Sequence, residues 1–359
     1  MNVFFGYHMP NYTFPGITNE SLFDRVAANA RAAERAGFDL VTVMDHFYQI
    51  GPVGPETDPM LEAYTTLAGL ARETTKVKLA TLVTGVIYRN PAVLAKQVTT
   101  LDIISRGRAI LGIGAAWNES ESNGFGIDFP PIGQRMDRLD EAVTIAKLMF
   151  TEERPSFEGK YYRIDRVINS PRPIQKGGPK ILIGGGGEKR TLRILARHGD
   201  IGHWFGGNVE DLKRKKAVFE QHCSEVGRDP SQVLLTVGMN IVLAENERQA
   251  KPVLDRLPAE RRAMTQTATI PQAAEILQPY LDAGFGGFTF GNGSLPTEEH
   301  IGLAGELIKA VRGTAGTQLD RLIAEGRVSR PLRDLPAPLR LDGDPHALSR
   351  ALDEIRGEP

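Results

Sequence analysis

The sequence predicts an α/β protein whose main domain is a (β/α)₈ TIM barrel. Three observations predict it. Short runs of β-formers alternate with segments carrying apolar residues at helical spacing. The alternation repeats about eight times, the number of strand–helix units that closes a barrel of parallel strands inside a ring of helices. The first strand runs into FGYHMPNY, with no Gly-x-Gly-x-x-Gly turn, which disfavours the doubly wound open sheet that shares this alternation. A chain of 359 residues, 41% hydrophobic and 24% charged, is long enough to bury one large core.

The elements follow in order. NVFFGYH (Asn2 to His8) reads as the first strand. Asn19 and Ser21 offer capping oxygens to a helix that runs to Ala36, where Gly37 stops it. Phe38 to Met44 is the second strand, and MLEAYTTLAGLARETT a helix. VKLATLVTGVI is the third strand, followed by a helix with Pro91 in its first turn. GRAILGIG is the fourth strand, and a helix follows from Gln134 to Phe150. Residues 151–178 break the rhythm: SFEGKYYRI reads as a strand or hairpin and SPRPIQKGGP as a Pro-rich connection. The alternation resumes with KILIGGG, EKRTLRILARHG, DIGHWFG and a helix from Val209 to Val226. QVLLTVGMNIVLA, an irregular stretch, PQAAEILQPYLDAG, FGGFTFG and EEHIGLAGELIKAVRG complete it. The expected organisation is a barrel over 1–312, an insertion at 151–178 after the fourth βα unit, and a C-terminal extension over 313–359.

Composition excludes several roles. The formal net charge of -1 leaves no basic excess for a phosphate backbone, so no nucleic-acid partner is expected. No stretch approaches the ~18 apolar residues that span a bilayer, and MNVFFGYHMP lacks the basic region of a signal peptide. A cytoplasmic protein without membrane contact is the expectation. Cys223 is the single cysteine, in a polar helical stretch, and no chemical role is expected for it. No HxH, HExxH or acidic cluster has metal-ligand spacing, so no metal is expected.

In a barrel the chemistry lies at the C-terminal ends of the strands. The second strand ends on Asp45 and His46, an acid and a base that point to opposite sides. An imidazole there can donate or accept a proton near neutral pH, and His46 is the candidate catalytic residue. Trp117 and Asn118 follow the fourth strand; His203 and Trp204 end the sixth. Gly184, Gly185, Gly186 and Gly187 lie between the fifth strand and its helix. Their amides can approach an anion closely, and Lys189, Arg190 and Thr191 add donors, so a phosphate site is expected there. His198, His222, His300 and His346 are expected at the surface.

Four segments in order, VTVMDHF, LATLVTGVIYRNPAVLAKQVTTLDIISRGRAILGIGAAWNESE, PPIGQRMDRLDEAVTIAKLMF and ILIGGGGEKRTLRILARHGD, resemble the luciferase-like flavin and deazaflavin oxidoreductases, the branch using coenzyme F420 most of all. The resemblance covers residues 1–312. It implies a (β/α)₈ barrel with an insertion, a homodimer, and a cofactor ring across the barrel mouth. It implies that Asp45 and His46 line the ring pocket, with His46 near the reacting carbon. A bulge with a non-prolyl cis peptide is implied behind the ring at Leu82–Val83, next to Thr84. Asn118 matches a ring-pocket position, and Gly184 to Gly187 with Thr191 match the phosphate-binding turn.

One departure stands out. The sugar-phosphate dehydrogenase of that family carries Gly-x-Gly-Glu after the fourth strand, where this chain has Gly114-Ala115-Ala116. A less polar small-molecule substrate is therefore expected, with Tyr12, Trp117, His203, Trp204 and Phe205 as pocket walls. The implied activity is hydride transfer between F420 and a small organic substrate. The alternatives are a two-component monooxygenase using reduced FMN and a non-redox cofactor-binding protein. Residues 313–359 hold two short helical patterns around a Pro-Arg-Leu stretch. They are expected to pack on the barrel or a dimer partner, with a protein-binding tail as the alternative.

Overall fold

The computed structural model describes residues 3–324, with side chains to residue 313. The chain divides into two compact units, residues 1–313 and 314–359. The expectations for 313–359 fall outside the described side chains.

The larger unit is a parallel barrel. Its strands are β1 (Phe4–Met9), β2 (Leu40–Val43), β3 (Lys78–Thr81) with its short continuation β4 (Thr84–Gly85), and β5 (Ile110–Gly114). After a two-strand antiparallel hairpin, β6 (Phe157–Glu158) and β7 (Arg163–Ile164), come β8 (Lys180–Gly184), β9 (Ile201–Trp204) and β10 (Leu234–Met239). β11 (Ile241–Leu243) and β12 (Gln266–Ala268) lie outside the barrel, and β13 (Gly287–Gly291) completes it. The sheet order is β3-β2-β1-β13-β10-β9-β8-β5-β4. β3 and β4 are one stave split by a bulge, so the nine strands make eight staves. The ring closes where Leu79 bridges Ala109, its N–H donating to the Arg108 carbonyl at 2.9 Å. Gly112 permits that closure: a Cβ there would lie 1.9 Å from the Thr81 carbonyl oxygen.

The helices follow the predicted alternation. They are α1 (Asn19–Ala36), α2 (Ala63–Glu73), α3 (Pro91–Ser105), the short α4 (Glu119–Gly124), α5 (Ile132–Thr151), α6 (Thr191–His198) and α7 (Val209–Glu225), then α8 (Glu247–Leu254), α9 (Ala259–Ala263), α10 (Ile270–Asp282) and α11 (Glu298–Ala324). Local chemistry sets their ends. Gly37 takes a left-handed conformation (φ 93°) and closes α1, and Asn90 caps α3 ahead of Pro91. Among the described residues no helix is long and apolar enough to cross a membrane.

Strand alternation sorts the side chains. Leu40, Ala80, Leu82, Ile110, Leu182 and Ile201 form one apolar cluster inside the barrel. Their odd-numbered or even-numbered neighbours, Phe5, Tyr7, Val41, Ile113, Ile183 and Trp204, join the larger core beneath the helices. One period-2 step above the inner cluster the barrel lining turns polar, with His8 bonded to Thr42 (2.9 Å) and His203 to Thr236 (3.0 Å). The apolar floor excludes water, and the polar layer opens to the mouth.

Two elements depart from the sequence reading. QVLLTVGMNIVLA is two strands, because the neighbouring staves end at Trp204 and Gly291 and leave residues past Met239 nothing in the barrel to pair with. β11 instead pairs in parallel with β12. The irregular stretch after it folds into α8 and α9. The hairpin expected within 151–178 is present, held where Glu141 of α5 accepts the backbone N–H groups of Lys160, Tyr161 and Tyr162.

Candidate active site

A cavity of about 650 Å³ opens at the C-terminal ends of the barrel strands. That size suits a cofactor ring with a small partner molecule. Met44, Ile50, Val53, Leu82, Val83, Ile132 and Met136 give it apolar walls. Trp117, Phe205 and Met264 stand at its lining while remaining more than half exposed.

His46 lines the cavity just past the end of β2. Its Nδ1 lies 2.5 Å from Oε1 of Glu121, a carboxylate on α4 that is fully buried. The same carboxylate accepts the Tyr88 hydroxyl at 2.5 Å and the Phe47 N–H at 2.7 Å. Burial opposes the charge on Glu121, but the bonds from His46, Tyr88 and Phe47 outweigh it and hold the carboxyl below its usual range. An ionised carboxylate only accepts, so the Nδ1–H of His46 donates and Nε2 is left for the cavity. The Trp117 ring meets the imidazole edge-on, with centroids 5.5 Å apart.

Asp45, in the loop after β2, turns away from the cavity and is not part of its wall. Its oxygens take two bonds from Arg89 at 2.5 and 3.0 Å, and Arg89 also holds Glu62 at 2.6 Å. Burial raises the Asp45 pKa despite the guanidinium beside it. The Arg89 guanidinium also lies 4.8 Å over the Tyr64 ring. Asp45 thus anchors the loop that carries His46.

The peptide between Leu82 and Val83 is cis, at the bulge that splits β3 from β4. Val83 enters the cavity and nests on two glycines: a Cβ at Gly114 or at Gly184 would lie 2.9 Å from its methyls. Thr84 is buried at the cavity wall, bonded to Tyr64 (2.8 Å) and Thr81 (3.0 Å). Beside this bulge, Gly184 to Gly187 and Thr191 form a cradle on the same cavity. A Cβ at Gly187 would sit 2.9 Å from the Thr191 hydroxyl, so the absence of a side chain there lets that hydroxyl pack against the backbone at the cavity. Arg190, expected to add a donor, is instead held by Asp137 and by the Gly133 carbonyl on α5. Lys215 of α7 takes that place, its ammonium 3.1 Å from where a Gly186 Cβ would be.

Of the remaining predicted residues, His203 lines the cavity and Trp204 does not. They are adjacent on β9, so one faces in and the other out; Trp204 packs edge-on against Phe285 at 5.3 Å. Tyr12 is fully buried away from the cavity, and Asn118 begins α4 with its carbonyl accepting from Ser122 at 3.0 Å. His198 and His222 are largely buried rather than at the surface, the first held by Asp140 at 2.9 Å and the second bonded to the Glu188 carbonyl at 2.9 Å. His346 lies outside the described residues. No group of three or more metal-ligating side chains occurs among the described residues. Sequence reasoning missed Glu121, Lys215, His8 and Arg261.

The fold and this mouth define a class, the parallel (β/α)₈ barrels with a cavity at the C-terminal ends of their strands. The sequence pattern of the luciferase-like monooxygenases matches residues 3–312, and the chain belongs to that family. It is 30% identical over 294 residues to an F420-dependent glucose-6-phosphate dehydrogenase of Kineococcus radiotolerans, covering 73% of this chain and 85% of the relative. It is 26% identical over 232 residues to an FMNH₂-dependent dimethylsulfone monooxygenase of Pseudomonas putida, covering 64% and 61%. In structure it resembles an F420-dependent secondary alcohol dehydrogenase in complex with an F420-acetone adduct, with a TM-score of 0.73 and 22% identity over 87% of this chain and 99% of that one. That last likeness is one of fold.

Proposed function

We propose that this enzyme is an F420-dependent oxidoreductase that transfers a hydride between the deazaflavin and a small organic substrate. The observation that carries the reading is the pairing of His46 with a buried, ionised Glu121 at the wall of a cavity that also holds the Leu82–Val83 bulge, on the neighbouring stave, and a bare glycine cradle. The residues present fit the cofactor. Val83, seated on Gly114 and Gly184, offers a flat apolar backing for a ring. Gly184 to Gly187, Thr191 and Lys215 would hold a phosphate, and the apolar walls would exclude water from the reacting face.

When bound, F420 supplies two-electron hydride transfer at one ring carbon. The chain supplies the proton chemistry. In oxidation of an alcohol, the carbon loses a hydride and the hydroxyl loses a proton, which Nε2 of His46 accepts. Glu121 fixes the tautomer that leaves Nε2 free and stabilises the imidazolium that forms. In the reverse direction the imidazolium returns the proton to the developing alkoxide. Tyr88 and the Phe47 N–H keep the Glu121 oxygens in place for both directions.

A second reading, an FMN-dependent monooxygenase, is favoured by the similarity to the dimethylsulfone monooxygenase. Oxygen uptake separates the two. Turnover of an alcohol and carbonyl panel with F420 or its reduced form, followed by F420 absorbance with no oxygen consumed, supports hydride transfer. Oxygen consumed in step with product and dependent on reduced FMN rejects it.

A further inference from the structure

Arg261 is unexplained by the chemistry above. It lies in α9, a segment the strand reading left irregular, and it lines the same cavity. Its guanidinium has no hydrogen-bond or ion-pair partner among the described residues, although Arg262 beside it is bonded to the Asp255 and Leu257 carbonyls at 3.2 Å. A half-buried guanidinium presents five donors in a rigid fork, and leaving them without acceptors is costly. Burial pulls its pKa below the usual arginine value. Glu260 lines the cavity too but forms no ion pair with it.

The place of Arg261 in the ring is informative. It lies over the end of β13, where Gly291 gives it room: a Cβ there would be 3.0 Å from Nη2. In the stave order, β13 stands four steps from β5 in either direction. Arg261 is therefore across the mouth from Gly114, with the Val83 bulge three staves away. The glycine cradle and Lys215 sit at the end of β8, three staves away from it. His8 and His203 line the same cavity, and burial before all else lowers their pKa values to about 3. Neither competes as a cation near neutral pH. Arg261 is the one lysine or arginine among the residues lining this cavity.

We propose that the substrate carries a carboxylate on an apolar body, and that Arg261 binds this carboxylate while Met239, Phe205 and Met264 receive the body. This rests on the cofactor reading for the assignment of Arg261 to the substrate side. A single guanidinium with two neutral imidazoles matches one negative charge. It does not match a phosphate dianion, for which further cations would be needed. The fork accepts both carboxylate oxygens, fixes one end of the molecule, and leaves the other end to approach His46.

The test is calorimetric titration of the full chain, alone and saturated with F420. The probes are benzoate, 3-phenylpropanoate and hexanoate, the corresponding primary amides, and phenyl phosphate. The carboxylates are expected to bind about tenfold or more tightly than their amides, the scale of one charge-assisted bidentate contact. Arg261→Met should abolish the preference and Arg261→Lys should retain part of it. F420 affinity should be unchanged in both. Equal binding of acids and amides, binding by none of the acids, a preference that survives Arg261→Met, or tighter binding of phenyl phosphate overturns the proposal. Loss of F420 affinity in Arg261→Met also overturns it, by moving Arg261 to the cofactor. If the chain prefers acids through Arg261 but does not bind F420, the cofactor reading fails and the carboxylate site stands.

Discussion

The Nδ1 of His46 and the Oε1 of Glu121 are 2.5 Å apart, although 75 residues separate them in the chain. The contact joins the end of β2 to α4 and fixes which imidazole nitrogen faces the cavity. Replacing His46 by Ala is expected to lower kcat by roughly 10²–10⁴ while F420 affinity stays within a few-fold. Glu121→Gln should lower kcat with little change in KM, since it alters proton handling and not the cavity surface. Steady-state kinetics and a binding titration check both. Full turnover by either variant removes His46 or Glu121 from the chemistry.

Val83 depends on two glycines for its seat. Gly184→Ala pushes a methyl against it and is expected to destabilise by about 1–3 kcal/mol, with weaker cofactor binding. Val83→Ala in the same chain should recover part of both losses, because the clashing atoms are gone. Denaturant melts of the two single variants and the double variant measure the coupling; additive losses would mean the contact carries no energy.

Asp45 and Arg89 form a buried pair, with side chains 1% and 12% exposed. Asp45→Asn removes the buried one of the two carboxylates that hold Arg89, leaving the half-exposed Glu62, and should cost about 3–5 kcal/mol. Asp45→Asn with Arg89→Met should cost less than that single change. Urea denaturation gives the values. A neutral effect of Asp45→Asn would show that Glu62 alone is enough for Arg89.

His203 is buried and His8 partly buried, and desolvation above all moves both pKa values from 6.5 to about 3. The unfolded chain binds protons on these rings at a higher pH than the folded chain does. Their contribution to stability is therefore complete above pH 6.5 and is lost as pH falls from 6.5 toward 3. The thermal midpoint should drop through that window, and His203→Gln should flatten the drop. An unchanged slope in the variant would place the acid sensitivity elsewhere.

The barrel was legible because eight short β-former runs and their helices carry their own punctuation, as Gly37 and Asn90–Pro91 show. His46 and the glycine cradle were legible as cavity residues because each follows a strand end, whereas the bulge at Leu82–Val83 came from the family resemblance and not from the strand pattern. Trp204 was not, since which of two adjacent strand residues faces the mouth depends on register, and Tyr12 was not because it lies in the loop after β1, where tertiary packing decides. Glu121 and Arg261 were hidden for another reason. They sit on short helices inside loops, and their distance to His46 or Gly291 is set by tertiary packing that no local pattern encodes.

The central claim is that this cavity holds a deazaflavin. A fluorescence titration of the full-length protein with F420, and separately with FMN, tests it most directly. The account predicts saturable, tight F420 binding that weakens on Gly184→Ala, with FMN binding far weaker. Tight FMN binding with little affinity for F420 would contradict it and make the oxygen-dependent reaction the function of this site.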